Sequence, residues 1–192
     1  HVFKDGSQVF GGGISLGDAE YVRCVVSFSS ASTITNVEGL VGRIITQGTT
    51  TSNLSRAKIV DVFASTSQDP YTILVLQYLT GNKFTENSTI VVEDLNPSYV
   101  SITYPTAASI PTGSSLTGTA QTISVETGIF YVDGFFVNNT TQTTTLYVID
   151  NGIRKFNDPI LTSEGVNNRV GFEVVRTAVT AETDTTLVDP AR

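Results

Sequence analysis

Hydrophobic and polar residues alternate with a period of two along most of the chain, a pattern that predicts β-strands. In the strand predicted for Tyr21–Phe28, the even-numbered positions are apolar and we expect them to face a core, while Arg23 and Ser27 fall on the opposite face. Similar patterns predict strands at Ala57–Ala64, Thr72–Leu79, Thr89–Glu93, Tyr99–Tyr104, Thr143–Ile149 and Arg169–Arg176.

Two glycine dipeptides predict how later strands are connected. Ile129–Val137 is nearly all apolar around Asp133-Gly134, which makes either a tight turn or a glycine bulge within one long strand. Asn151-Gly152 predicts a hairpin, because both residues tolerate positive φ.

Two of the predicted strands carry additional signals. Thr72–Leu79 is apolar on both faces, which indicates a central strand. The stretch Asn53–Phe63 begins either as a strand or with a helical turn.

The composition favours the same all-β class. Thr, Val and Ile number 29, 23 and 14 of the 192 residues, and their β-branched side chains favour strands. We predict two small antiparallel sandwich-like or barrel-like units joined by a linker rich in Pro, Thr, Ser and Gly. The expected organisation is an N-terminal extended segment at 1–13, a small β-barrel or β-sandwich domain at 14–104, the linker at 105–120, a second β domain at 121–180 and a C-terminal extended segment at 181–192.

The charge balance disfavours two classes of partner. The chain has 11 basic and 18 acidic residues, a formal net charge of −7, and no cluster of Lys and Arg. Binding to nucleic acid or to an anionic membrane surface depends on such clusters, so neither partner is expected. No apolar run is long enough for a transmembrane helix.

Residues that support common catalytic and metal sites are scarce. His1 is the only histidine and Cys24 the only cysteine, which excludes Ser-His-Asp, Cys-His and Cys/His zinc sites. Cys24 is interpreted as a buried small hydrophobe. Gly11-Gly12-Gly13 lacks the features of a phosphate-binding loop and is interpreted as a hinge. We therefore expect no catalytic residues, no cofactor, no metal and no enzymatic activity.

Carboxylates leave two weaker alternatives open. A glycosidase needs two acids at a suitable separation, and the candidates are Glu20, Glu86, Glu126, Asp133 and Glu164. Asp184 and Asp189, with Glu182 nearby, are potential calcium ligands, but their spacing does not match an EF-hand. An ordinary turn at Asp189-Pro190 is the preferred interpretation there.

Several stretches resemble an uncharacterised family of structural proteins from tailed bacteriophages, common in contractile-tailed phages of cyanobacteria. The similar stretches are 3–9, 128–137, 169–174, 180–187 and 189–191, which read FKDGSQV, GIFYVDGFFV, RVGFEV, TAETDTTL and DPA. In that family the last stretch continues beyond the position of Arg192, and this chain begins without Met, so we expect a fragment or processed form of a longer tail protein.

The resemblance implies a function in the phage particle. It suggests a baseplate-peripheral or tail-fibre-associated virion protein, assembled in the host cytoplasm, homotrimeric and in contact with other phage tail proteins. The alternative is a module that recognises a host surface receptor or glycan. Such a module predicts exposed aromatics at one end of the fold, with Tyr71, Tyr99, Tyr104 and Tyr147 as candidates. Half-buried strand positions are the competing interpretation of these tyrosines.

Overall fold

A computed structural model describes residues 6–48, 54–151, 153–155 and 172 of the chain. The described part contains twelve strands, all paired antiparallel, and no α-helix, which confirms the all-β prediction. The only helical segments among these residues are 3-10 turns at Val37–Leu40 and Ala107–Ser109. The strands are β1 (Ser7–Gly11), β2 (Ile14–Phe28), β3 (Ile44–Gln47), β4 (Ser55–Phe63), β5 (Thr72–Tyr78), β6 (Ser88–Val92), β7 (Val100–Tyr104), β8 (Thr117–Val125), β9 (Gly128–Val132), β10 (Phe135–Asn139), β11 (Gln142–Asp150) and β12 (Ile153–Lys155).

Six strands close into an antiparallel barrel in the order β2, β5, β4, β3, β6, β7. The barrel closes because β2 is fifteen residues long: Glu20–Cys24 pair with β5, and Val25–Phe28 pair with β7. Because the barrel is closed, each of these six strands has a paired neighbour on both sides. The buried core side chains inside the barrel are Val22, Cys24, Ile34, Leu40, Ile45, Ala57, Ile59, Leu74, Leu76, Phe84, Ile90, Val92, Val100, Ile102, Tyr104 and Leu116.

A second core lies on the outer face of the same strands. It contains Ala19, Tyr21, Val60, Ile73, Val75, Ala120 and Val148. Strand β8 pairs with Ile14–Val22 of β2, and β11 pairs with β8, so this part of the sheet extends outward from the barrel. The two cores therefore share β2, β4 and β5, and successive residues of these strands enter different cores.

The shared strands explain why β5 is apolar on both faces. Leu74 and Leu76 belong to the barrel core, and Ile73 and Val75 belong to the second core. The prediction of a central strand is confirmed, since β5 lies between β2 and β4.

An acidic side chain in β4 links it to β11 beside the second core. The register of β4 shifts between Ile59 and Asp61, and the register of β11 shifts between Thr145 and Tyr147. The Thr145 N–H donates to Asp61 Oδ2 at 2.8 Å. The Thr145 N–H, at the register shift of β11, is thus satisfied by a carboxylate of β4.

Several element boundaries differ from those expected. The stretch after residue 54 opens as a strand without a helical turn, because the buried Ser55 donates its hydroxyl to the Lys83 carbonyl at 2.8 Å. Strand β3 was not predicted, and β2 begins seven residues before Tyr21. Strand β8 begins at Thr117, within the range predicted as linker, because its small and polar residues are held by backbone pairing with β2.

Part of the predicted organisation lies outside the described residues. Residues 1–158 cluster as one unit, to which all twelve strands belong, and residues 159–192 cluster as another. Except for Phe172, the predicted strand Arg169–Arg176 and the C-terminal segment 181–192 are not described. None of the described residues belongs to a helix long and apolar enough to cross a membrane.

Candidate functional site

The four described carboxylates of the predicted glycosidase set have different local surroundings. Glu20 forms an exposed ion pair with Lys83. A carboxylate oxygen of Glu86 accepts a hydrogen bond from the Ala107 N–H at 2.9 Å. Glu126 lies beside Gly13, and Asp133 occupies a turn with a φ of 52°. Glu164 lies outside the described residues.

The described residues also contain no group of three His, Cys, Asp or Glu side chains suited to a metal ion. The three acids considered as calcium ligands, Glu182, Asp184 and Asp189, fall in the part of the chain that is not described.

The single cysteine is confirmed as a buried hydrophobe. Cys24 is fully buried in the barrel core, and desolvation raises the pKa of its thiol. A raised pKa keeps the sulfur protonated and a poor nucleophile at neutral pH.

The four candidate tyrosines do not form the exposed aromatic surface that a recognition module predicts. Tyr104 is buried in the barrel core, while Tyr71, Tyr99 and Tyr147 are half-buried. The Tyr71 hydroxyl donates to the Ser109 carbonyl at 2.9 Å. Tyr147 is a half-buried strand position, as the competing interpretation expects, whereas Tyr71 and Tyr99 lie just before β5 and β7, and Tyr104 in β7 is fully buried.

An ionic cluster that the sequence did not predict lies between β2 and β11. Arg23 is 1% exposed and Asp150 is fully buried. Arg23 donates from Nη2 to Asp150 Oδ2 at 2.9 Å and from Nε to Asp69 Oδ2 at 2.9 Å. Asp150 Oδ1 also accepts from the Tyr21 hydroxyl at 2.9 Å and from the Ser115 N–H at 2.8 Å. The cluster thus connects two strands with two loops.

The cluster's electrostatics favour a structural role. Burial, together with the Asp150 hydrogen bond, raises the pKa of Tyr21. Burial by itself lowers the pKa of Arg23, but hydrogen bonds and charge from Asp150 and Asp69 raise it overall. Both groups therefore stay protonated near neutral pH, so neither is suited to proton exchange there.

The expectation that Arg23 faces away from the barrel core is confirmed, yet the residue is not at the surface. Its face of β2 is covered by chain that follows residue 114, and Asp150 supplies the counter-charge. The period-two pattern correctly placed Arg23 on the face of β2 opposite the barrel core. It carried no information about the chain that covers that face.

An open groove of about 420 Å³ lies beside β3. Its lining includes Val41, Arg43, Glu93 and Asp94. Arg43 pairs with Asp94, and Arg56 donates to both carboxylate oxygens of Glu93 at 2.6 and 2.7 Å. The charged side chains that line this groove are thus engaged with one another or with a neighbouring strand.

Four of the eleven large hydrophobic residues that are exposed in the described part of the chain lie in a three-stranded sheet of β1, β9 and β10, which we call the arm. They are Phe10, Phe135, Phe136 and Val137. Strands β8 and β11 form a paired ribbon that ends at the pair Val125 and Gln142. The ribbon resumes as β9 and β10 at the pair Gly128 and Asn139. Strand β1 joins β9 in the same way that β2 joins β8.

The base of the arm is a bend built around glycines. Gly11 and Gly12 have φ values of +61° and +71°, which favour residues without a Cβ. The Gly12 N–H donates to the Thr127 carbonyl at 3.0 Å, and the Glu126 N–H donates to the Gly13 carbonyl at 2.8 Å. The predicted hinge is therefore an ordered, hydrogen-bonded bend in the structure.

The tip of the arm resolves the alternatives for Asp133-Gly134. Both residues have positive φ, 52° and 92°, and β9 and β10 pair directly on either side of them. The dipeptide is therefore a tight hairpin turn of the type that Asp-Gly favours, and the glycine bulge is excluded. The Asn151-Gly152 hairpin is also confirmed, since Asp150 pairs with Ile153.

Exposed apolar side chains lie on both faces of the arm. Phe136 is opposite Tyr131, and Phe10 is opposite Ile129, so these four residues share one face. Phe135 is opposite Val132 and lies on the other face. The side chains of Phe10, Phe135 and Phe136 are exposed by 73%, 72% and 62%.

The apolar surface continues past the base of the arm and contains almost no charge. Ile14 and Leu16, at the start of β2, are also strongly exposed. Asp133 is the only charged residue within the three strands of the arm and its turn. A large exposed apolar patch of this kind is typical of an interaction surface.

Comparison with protein-family models, curated proteins and solved structures found no match to this chain.

Proposed function

We propose that this chain is a non-catalytic structural and assembly module of a bacteriophage tail. In this proposal it is baseplate-peripheral or tail-fibre-associated, forms a homotrimer and contacts other tail proteins. The observation that carries the proposal is the arm, whose two apolar faces are exposed in the single chain. The resemblance of residues 128–137 to phage tail proteins falls on β9, the turn and β10, so it supports an assembly role for the same segment.

The physical argument rests on the cost of exposed aromatic surface. Three phenylalanines on a small sheet would favour aggregation unless another surface covers them. A protein that functions in isolation gains nothing from such a surface. A subunit of a particle gains binding free energy from it, because assembly removes the apolar area from water.

The interior of the fold is consistent with this role. Six strands form a closed barrel, and the buried Arg23–Asp150 pair ties β11 to β2. The arm continues from β2, β8 and β11. Strand pairing and this ion pair hold those three strands together, so the arm has a firm base. Among the described residues, the buried ionisable groups whose pKa values are shifted serve packing and hydrogen bonding.

The location of the chain in particles tests the proposal. Purified particles of the virus that encodes this chain would be labelled with gold-conjugated antibodies raised against the protein. We expect label on the tail by electron microscopy, and none after the antibody has been absorbed with purified protein. Mass spectrometry of the same particles provides a second measurement. Absence of the chain from intact particles would overturn the proposal.

A further inference from the structure

The arm has the apolar content of a complete protein interface. Each phenylalanine side chain presents roughly 150–250 Å², so the exposed parts of Phe10, Phe135 and Phe136 amount to roughly 300–500 Å². A standard interface buries about 800 Å² on each partner, of which somewhat more than half is apolar, roughly 450 Å². The three phenylalanines together supply about this amount, divided between the two faces of the arm, and Val137 on the arm and Ile14 and Leu16 beside its base add to it.

The charge distribution favours a second copy of the chain as the occupant. The protein carries a net charge of −7, but the arm has a single charged residue, Asp133 at its tip. Two copies can therefore bring their arms together without opposing two strongly acidic surfaces. A partner recognised through charge would find almost no complementary group on the arm.

The two-faced character of the arm determines how copies are arranged. Phe10 and Phe136 lie on one face, and Phe135 and Val137 lie on the other. An isologous pair that joins one face to its equivalent leaves the opposite face exposed. Coverage of both faces requires two neighbours for every arm. The smallest closed ring that supplies two neighbours contains three copies.

From these observations we infer that the arm is the contact surface between copies of this chain, with the arm of a neighbouring copy against each of its faces. Strand β10 is central to this contact, because Phe135, Phe136 and Val137 are consecutive and all exposed. The inference deepens the proposed assembly function and rests on it for the expectation of a homotrimer. It assigns the contact to particular residues.

The mass of the protein in solution tests the inference. Light scattering on a size-exclusion column at micromolar concentration should give about three times the chain mass of 20.5 kDa for the wild type. The triple variant Phe10→Ser, Phe135→Ser and Val137→Ser should elute as a single chain. Because all three side chains are exposed, circular dichroism should show an intact fold. A matched control is Val41→Ser with Leu79→Ser, two exposed apolar residues outside the arm, and it should remain oligomeric.

Cross-linking provides a second test that does not depend on destabilising an interface. Cys24 is fully buried, so a cysteine introduced on the surface is the accessible thiol. Val137→Cys and Leu79→Cys place it at positions exposed by 46% and 48%, on the arm and outside it. A short bismaleimide should join Val137→Cys chains to Phe136→Cys chains, which carry the cysteine on the opposite face of the arm, at least about tenfold more efficiently than it joins chains of the Leu79→Cys variant.

The outcomes separate this inference from the proposed function. A monomeric wild type, a triple arm variant that stays oligomeric, or equal cross-linking on the arm and outside it would each overturn the inference. A monomeric wild type with arm amides protected from hydrogen exchange would indicate that another segment of the same chain covers the arm. Each of these results leaves the location of the chain in virus particles to be decided by gold labelling.

Discussion

Arg23 and Asp150 show how a single buried pair joins parts of the fold that are 127 residues apart in sequence. The guanidinium and the carboxylate are both removed from water, and each has further hydrogen-bond partners. Removing one member of such a pair is costly because the other remains buried without full compensation. The pair links β11 to β2 across the intervening strand β8.

We predict that Asp150→Asn lowers the free energy of unfolding by about 3–5 kcal/mol, because the Arg23 charge stays buried and loses its main counter-charge. Urea unfolding followed by circular dichroism measures this change. The surface variant Glu93→Gln breaks a similarly close pair with Arg56 and should cost much less, because solvent screens both charges. Equal losses in the two variants would contradict the structural role of the buried pair.

A second substitution tests the reason for the loss. The double variant Arg23→Met with Asp150→Asn removes the buried guanidinium charge and keeps an amide oxygen near Tyr21 and Ser115. We expect the double variant to be more stable than Asp150→Asn alone. A double variant that is less stable would show that packing of the arginine stem matters more than its charge.

At the scale of strands, the arm depends on a bend that only glycine accommodates. A Cβ on Gly11 would lie 2.4 Å from the Thr127 carbonyl oxygen, which belongs to the backbone between β8 and β9. The distance from such a Cβ to the carbonyl oxygen is too short for any residue other than glycine. The φ of +61° adds strain for a residue with a Cβ.

We predict that Gly11→Ala separates β1 from β9 and destabilises the arm by more than the cost of the backbone conformation alone. Gly42→Ala is the matched control, because Gly42 also has a positive φ and nothing lies within 4 Å of a Cβ there. The control should cost about 1–3 kcal/mol. Hydrogen exchange at the amides of β1 and β9 measures the local effect. Equal exchange in both variants would argue against the steric explanation.

The same scale shows what the alternation pattern could and could not predict. Strands with a regular apolar face, such as Val22 to Phe28 of β2, were predicted because each second residue enters the barrel core or packs against it. The burial of Arg23 was not predictable, since the groups that contact its guanidinium, on Asp69, Ser115 and Asp150, lie 46, 92 and 127 residues later. The four residues of β3 were too few for a reliable pattern.

The arm illustrates a different limit. Its turn was among the predicted alternatives because Asp-Gly has a strong local preference. The exposure of its apolar side chains was not predictable, because an apolar hairpin has the same composition whether it lies in a core or on a surface. Only the placement of β9 and β10 beyond the last residues of the β8 and β11 ribbon shows that no core of the described fold covers them.

For the whole molecule, tyrosine hydroxyls and the Cys24 thiol packed in the two cores make the free energy of unfolding depend on pH in the alkaline range. Burial raises the pKa of Tyr78 to about 12 and also raises the pKa values of Tyr21, Tyr104 and Cys24. In the unfolded chain these groups lose their protons near pH 10 for tyrosine and near pH 9 for cysteine. Above about pH 9 the folded state therefore binds more protons than the unfolded state, and the free energy of unfolding falls as the pH rises.

We predict that the urea midpoint stays nearly constant with respect to these four groups up to about pH 9 and then falls steeply toward about pH 12. Each group contributes a slope of at most about 1.4 kcal/mol per pH unit. Tyr104→Phe keeps the buried ring and removes one titrating hydroxyl, so its midpoint should fall less steeply than that of the wild type. Tyrosinate absorbance of the folded protein is the independent measurement, and titration of Tyr21, Tyr78 and Tyr104 near pH 10 without unfolding would contradict the coupling.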